Sequence, residues 1–177
     1  LALGEELTLP QAPAYAHAES YTGVSVKDKL IWLRQELTAK SVDCIAFNVL
    51  DEIAWLFNIR GADIEYNPLV ISYALVGQSS AIWFVDLAKV SAKLSQTLTA
   101  AGVIVKDYVE FGDYVAQLNT HICLDDKTAS YWMLQQAERN GQVSYARSPI
   151  VNKKALKNQA EQAGARYAHV KDAVAMV

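Results

Sequence analysis

Six short apolar runs constrain this chain more than any other feature: "DCIAFNV" (43–49), "PLVISYALV" (68–76), "SAIWFVD" (80–86), "VIVKDY" (103–108), "HICLDD" (121–126) and "QVSYARS" (142–148). Each has the length and composition of a β-strand. Between them the apolar spacing changes to that of helices. Leu30, Leu33 and Leu37 line one face of a helix over 24–42. "DEIAWLFNIR" places Asp51 and Glu52 in a first turn, where the helix dipole favours acids, and Gly61 is expected to cap its C-terminus. A helix over 89–101 should end at Gly102, a short one should span about 113–119, and "TASYWMLQQAER" should end at Asn140-Gly141. Strands alternating with helices imply an α/β fold, a three-layer sandwich with helices on both faces of one mixed, mostly parallel sheet. The antiparallel component comes from the hairpin at "GQSS", between the second and third runs.

The two ends read differently from this body. Residues 1–22 hold two of the four prolines and little periodicity, as a linker would. After Pro149, apolar residues at 156, 160, 163, 167, 170, 174 and 177 alternate spacings of four and three. That stripe predicts one long C-terminal helix from Asn152 to Val177, about 39 Å at the usual rise. The stripe stops in mid-pattern, so the surface that buries it is expected to lie in chain beyond Val177. A first residue that is Leu rather than Met also suits an excised segment. With nothing to cover the stripe, the isolated chain is expected to form a homodimer through Leu156–Val177, to fray there, or to fold the helix back.

Composition and motifs exclude several functions. A chain 52% hydrophobic and 20% charged is globular, and it has no apolar run near the ~18–20 residues of a membrane span. A net charge of −3 argues against nucleic acid as a partner. Cys44 and Cys123 sit in apolar runs without metal-ligand spacing, as buried thiols of a cytoplasmic protein do. Neither GxGxxG nor GxxxxGK[ST] occurs, and "GQSSA" lacks both the second glycine and the strand-to-helix turn of a nucleophile elbow. His17, His121 and His169 are far apart, and Asp125-Asp126 reads as strand-end polarity plus an N-cap for the next helix. No catalytic residue, metal ligand or cofactor is therefore assigned within the chain.

One polar cluster remains. "RGADIEYNP" (60–68) joins a helix to a strand and gathers Arg60, Asp63, Glu65, Tyr66 and Asn67. Arg60 and Asp63 could pair within the turn, and Asn67-Pro68 is a turn signal. A helix-to-strand loop lies at the edge of an open α/β sheet opposite the one ligands favour. Two readings stay open: a well-ordered loop, or the lining of a cleft between domains.

The stretch "LDEIAWLFNIRGADIEYNPLVISYALV" (50–76) resembles the signature of the middle domain of three-domain Xaa-Pro aminopeptidases, in the creatinase/prolidase ("pita-bread") metallopeptidase family. "YTGVSVKDKLIWLRQEL" is similar to the segment opening that domain, although Thr22 stands where the family usually has Ala. "LDDKTASYWM" is similar to its late strand and helix, and "SPIVNKKALKNQAEQAGARYAHVKDAVAMV" to its junction with the catalytic domain. The resemblance implies a creatinase/prolidase N-terminal domain-like fold. Residues 1–22 would be a linker from a first domain, 23–148 the middle domain, and 149–177 the junction and first helix of a catalytic domain. It also implies a parent that releases the residue before proline from peptides, using two divalent ions, usually manganese. Their two Asp, one His and two Glu ligands would lie beyond Val177. The partner of Leu156–Val177 would be the catalytic domain of the same chain. Arg60, Asp63, Asn67 and Tyr73 would limit the active-site cleft or orient that domain. The rival is a free-standing α/β interaction module, and a small-molecule binding domain comes third.

Overall fold

The computed structural model describes residues 9–176. In chain order its elements are β1 (Tyr15–Ala16), α1 (Glu19–Thr22), α2 (Val26–Ala39), β2 (Cys44–Phe47), α3 (Leu50–Leu56), β3 (Ile59–Arg60), β4 (Ser72–Gly77), β5 (Ala81–Val85), α4 (Ala92–Ala100), β6 (Ile104–Asp107), α5 (Glu110–Ala116), β7 (His121–Leu124), α6 (Tyr131–Ala137), β8 (Gln142–Tyr145), α7 (Pro149–Ala155) and α8 (Gln159–Ala175). Six strands form one sheet in the order β6-β5-β4-β2-β7-β8. β4 runs antiparallel to both of its neighbours, and the other three pairings are parallel. The expected mixed, mostly parallel sheet is present, and the β4–β5 hairpin turns at Gly77–Ser80.

Successive strand residues feed two cores, as the pleat requires. Ile45, Phe47, Ala74, Val76, Trp83 and Val85 face α2, α3, α4 and α7, which contribute Leu30, Leu33, Leu37, Ile53, Leu56, Leu94, Leu98 and Ile150. Cys44, Ala46, Leu75, Ile82, Phe84, Ile122 and Leu124 face α5 and α6, which supply Phe111, Val115, Met133 and Ala137. This is the three-layer sandwich. Both cysteines are free and buried, and burial pushes the Cys44 thiol up to about 11.

Several boundaries differ from the sequence reading. α3 stops at Leu56 instead of running to Arg60, and Gly61 is not its cap. Asn58 makes the left-handed turn, φ 50°, and Ile59–Arg60 then pair antiparallel with Tyr15–Ala16. Gly61 is required for another reason: a Cβ there would lie 2.4 Å from Val70 Cγ2. The fifth helix starts at Glu110, three residues before the expected Asp113. Asp125 does not cap α6; Ser130 accepts from Met133 N at 3.2 Å in that role.

The single C-terminal helix is in fact two. α7 ends at Ala155, and α8 begins after Asn158, which forms a reciprocal capping box with Glu161. The heptad pattern runs straight through this break because periodicity does not register a local cap that outcompetes helix continuation. Leu156, Tyr167, Val170 and Val174 are all exposed, while Val177 lies outside the described residues. No helix among the described residues is long and apolar enough to cross a membrane.

Candidate domain-contact site

Chain reversal at Asn58 sets up the loop that follows. The Asn58 amide receives Lys29 Nζ at 2.6 Å and donates to Val24 O at 2.9 Å, which satisfies the polar groups of a buried turn. Arg60, half-buried, donates from Nη1 to Ala54 O (3.0 Å) and Ile59 O (2.8 Å). Burial lowers its pKa, with Tyr15 opposing the shift. The expected Arg60–Asp63 pair is not formed. Asp63 turns inward, where Oδ2 accepts from Lys89 Nζ at 2.7 Å and from Ile71 N at 2.8 Å. Both partners of this ion pair are fully buried, and Asp63 Oδ1 has no hydrogen-bond partner. Lys89 comes from the short 3-10 turn after β5, so the hairpin delivers a partner that local sequence could not reveal.

Beyond Asp63 the loop closes on itself. Gly61 N donates to Pro68 O and Asp63 N to Leu69 O, and Asn67 N bonds to Ile64 O around an exposed Tyr66 with φ 61°. Arg60, Asn67, Pro68 and Leu69 then form one wall of a cleft of about 320 Å³. Asp51, Ala54 and Trp55 of α3, with Lys154, Lys157 and Glu161, complete it. Of the four residues singled out from sequence, Arg60 and Asn67 meet here. Asp63 lies behind the wall on Lys89. Tyr73 points to the opposite face of the sheet and stacks on Phe111 (centroids 4.2 Å apart) and Tyr108 (5.2 Å). Burial there and Tyr108 push the Tyr73 phenol up to about 12. A larger hollow of about 410 Å³, walled by Phe57, Leu94 and Leu98, holds none of the four.

The cleft's other wall is fixed by contacts that sequence reasoning missed. Ser148, fully buried, donates Oγ to Glu52 Oε2 at 2.6 Å and its N–H to Asp125 Oδ2 at 2.6 Å. Arg147 Nη1 reaches both Asp125 oxygens, at 3.1 and 3.2 Å. Ile150 enters the core, Lys153 lies over the Trp32 ring, and Lys154 pairs with Asp51. A signal for the junction was legible in Ser148-Pro149, an N-cap followed by proline at the first helical position.

The two carboxylates on Ser148 respond to pH in opposite ways. Burial raises the Glu52 pKa more than the Ser148 hydroxyl lowers it. Its contribution to stability is therefore fully present below the ordinary glutamate range and is lost as pH rises through the raised value. For Asp125, burial is outweighed by the Ser148 and Lys127 N–H donors and by Arg147, so its pKa is lowered. Its contribution is present above the ordinary aspartate range and is lost in acid. Glu52→Gln keeps an acceptor for Ser148 and removes the buried charge. Thermal melts should show this variant at least as stable as the parent chain near pH 7, with a smaller change in Tm as pH rises above the ordinary glutamate range. A clear loss of stability near pH 7 would contradict this account.

Residues 6–161 match the model of the Creatinase/Prolidase N-terminal domain. A protein of Botryotinia fuckeliana named "Probable Xaa-Pro aminopeptidase P" is 39% identical over 177 residues, covering 95% of this chain and 27% of its own length. One of the same name from Sclerotinia sclerotiorum is 36% identical, with 95% and 30% covered. This chain thus spans less than a third of those relatives. Among solved structures, the X-prolyl aminopeptidase of Caenorhabditis elegans, described as a cytosolic enzyme with a di-nuclear active site, superposes with a TM-score of 0.87 at 29% identity. The match covers 96% of this chain and 29% of that one. An Xaa-Pro dipeptidase from Bacillus anthracis shares the fold, with a TM-score of 0.54 at 15% identity. With residues 6–161 matching that domain's model, this chain belongs to the creatinase/prolidase N-terminal domain family.

Proposed function

We propose that the chain is the non-catalytic middle domain of a metal-dependent Xaa-Pro aminopeptidase, in which it positions neighbouring domains and limits the active-site cleft. The observation that carries this reading is the cleft itself: the loop 60–69 forms one wall, and α3 with Lys154, Lys157 and Glu161 at the start of α8 forms the other. From there α8 extends with Tyr167, Val170 and Val174 exposed, a surface suited to the catalytic domain of a longer chain. In this reading Arg60 and Asn67 face the cleft, Asp63 holds the loop through Lys89, and Tyr73 braces the far face of β4. Peptides with proline in second position are the parent's substrates, and its location is cytoplasmic. The two divalent ions, manganese by family expectation, would supply an activated water and stabilise the oxyanion. Among the described residues no group of three His, Cys, Asp or Glu side chains is placed to hold an ion.

The test is Arg60→Ala in the full-length enzyme. kcat/KM for an Xaa-Pro peptide should fall by about tenfold to about a hundredfold, the upper figure being what a ~1 Å misplacement far from the chemistry can cost. Unchanged kinetics would remove Arg60 from any cleft role. The exposed residues of α8 would equally suit a free-standing module that pairs with a second copy. Light scattering separates the two: a stable dimer of the full-length protein built on α8 favours the module.

A further inference from the structure

The start of α8 is held on the domain beside α1, and from Arg166 onward its described residues are exposed. Asn158 Nδ2 donates to Thr22 O at 2.7 Å, and its side chain fills the space beside Gly23, where a Cβ would lie 2.5 Å from Oδ1. Trp55 Nε1 donates to Glu161 Oε1 at 3.3 Å. On the ring of the same indole sits Lys29 Nζ, 4.1 Å from the centroid, which also donates to Trp55 O at 2.7 Å and Asn58 Oδ1 at 2.6 Å. Lys29 is buried on the inner side of α2, so Trp55 is gripped between an ammonium from the domain and a carboxylate from α8. Just ahead of this grip, Leu156 leaves helical geometry at φ −85°, ψ 91°.

We propose that Lys29, Trp55 and Glu161 form a latch, hinged at Leu156–Asn158, that fixes the direction in which α8 leaves the domain, and that its hold depends on the charge of Lys29. This is a property of the chain itself and does not rest on the peptidase reading. An ammonium over an indole is attracted by the ring's negative face, more strongly when water is excluded. It also faces Glu161 on α8 and Glu19 on α1, which favour its charge, while Arg60 of β3 opposes it; the nearby His17 feels the same cations. Burial brings the Lys29 pKa down to about 8. Because Glu161 raises that pKa, the docked helix binds the proton more tightly than an undocked one, and by linkage loss of the proton weakens docking. Overall stability moves the other way. Lys29's folded pKa lies below its ordinary 10.5, so its deprotonation in the folded state favours folding between about pH 8 and 10.5.

Amide hydrogen exchange on this chain reads the two effects separately, after correction for intrinsic rates. Protection of residues 163–166 should fall by about threefold as pH rises from about 7 to about 9, the scale of one partly exposed charge interaction. Protection of Ile122–Leu124, in the middle of the sheet, should not fall with it. Glu161→Gln keeps the capping box and the acceptor for Trp55 but removes the charge. It should show the weakened protection already near pH 7 and no further loss on raising the pH. The Trp55 indole N–H resonance should shift with an apparent pKa near 8 in the parent chain and at a lower pH in the variant, because Glu161 raises the Lys29 pKa and the ammonium lies over the indole in both. The latch is overturned by protection at 163–166 that is flat with pH, by an equal pH response in Glu161→Gln, or by a parallel loss at 122–124.

Discussion

Lys89→Met lowers the stability of this chain by about 3–5 kcal/mol, the largest effect expected of any single substitution among the residues that hold the loop 60–69. Lys89 and Asp63 form an ion pair with side chains 1% and 0% exposed, and one Asp63 oxygen already lacks a partner. Removing the ammonium leaves a carboxylate in a space from which water is excluded, held only by Ile71 N. Either it ionises without compensation or it takes up a proton, and both are costly at neutral pH. For a chain of this size the loss corresponds to roughly 10 °C in Tm. The double variant Asp63→Leu with Lys89→Met should regain much of it, because replacing both charges removes the desolvation cost along with the attraction. A double variant as unstable as the single one would mean that Lys89 acts through its methylene packing rather than its charge. With its carboxylate committed to Lys89, Asp63 shapes the loop from behind while Arg60 and Asn67 present the cleft surface.

Ile150→Ala comes next, at about 2–5 kcal/mol. Ile150 is fully buried among the residues that pack under α2 and α3, although it lies past the last strand in the stretch that resembled a junction. Leu156→Ala, six residues on, should change the stability of this chain by less than about 0.5 kcal/mol, because Leu156 is 78% exposed. Chemical denaturation of the two variants therefore locates the point where the folded domain stops supporting the C-terminal segment. Equal effects at the two positions would contradict the packing described for α7. The contrast also separates α7, which the domain holds through Ser148, Ile150 and Lys154, from the projecting part of α8.

Much of this was legible in advance because the physics involved is local. The continuous apolar run of "SAIWFVD" marked a strand, and the structure puts its neighbours Trp83 and Phe84 in different cores, as the pleat requires. Leu30, Leu33 and Leu37 gave the inner face of α2, and Lys29, four residues before Leu33, falls on that same face. It went unread because a lysine is assumed to be wet. The short strand at Tyr15–Ala16 had no local signature, since its partner lies 45 residues away and the pairing, not the propensity, creates it.

The amino-acid order by itself determined the three-layer α/β architecture and the hairpin that mixes the sheet, because hydrophobic period and turn chemistry act over a few residues; the family was carried separately, by the resemblance of residues 50–76. Tertiary structure alone decided which charge meets which. Asp63 passed over Arg60 for Lys89, and Asn158 reached Thr22 across the fold. Partners like these are chosen by which buried polar groups the folded chain brings within about 3 Å. No spacing rule encodes that distance.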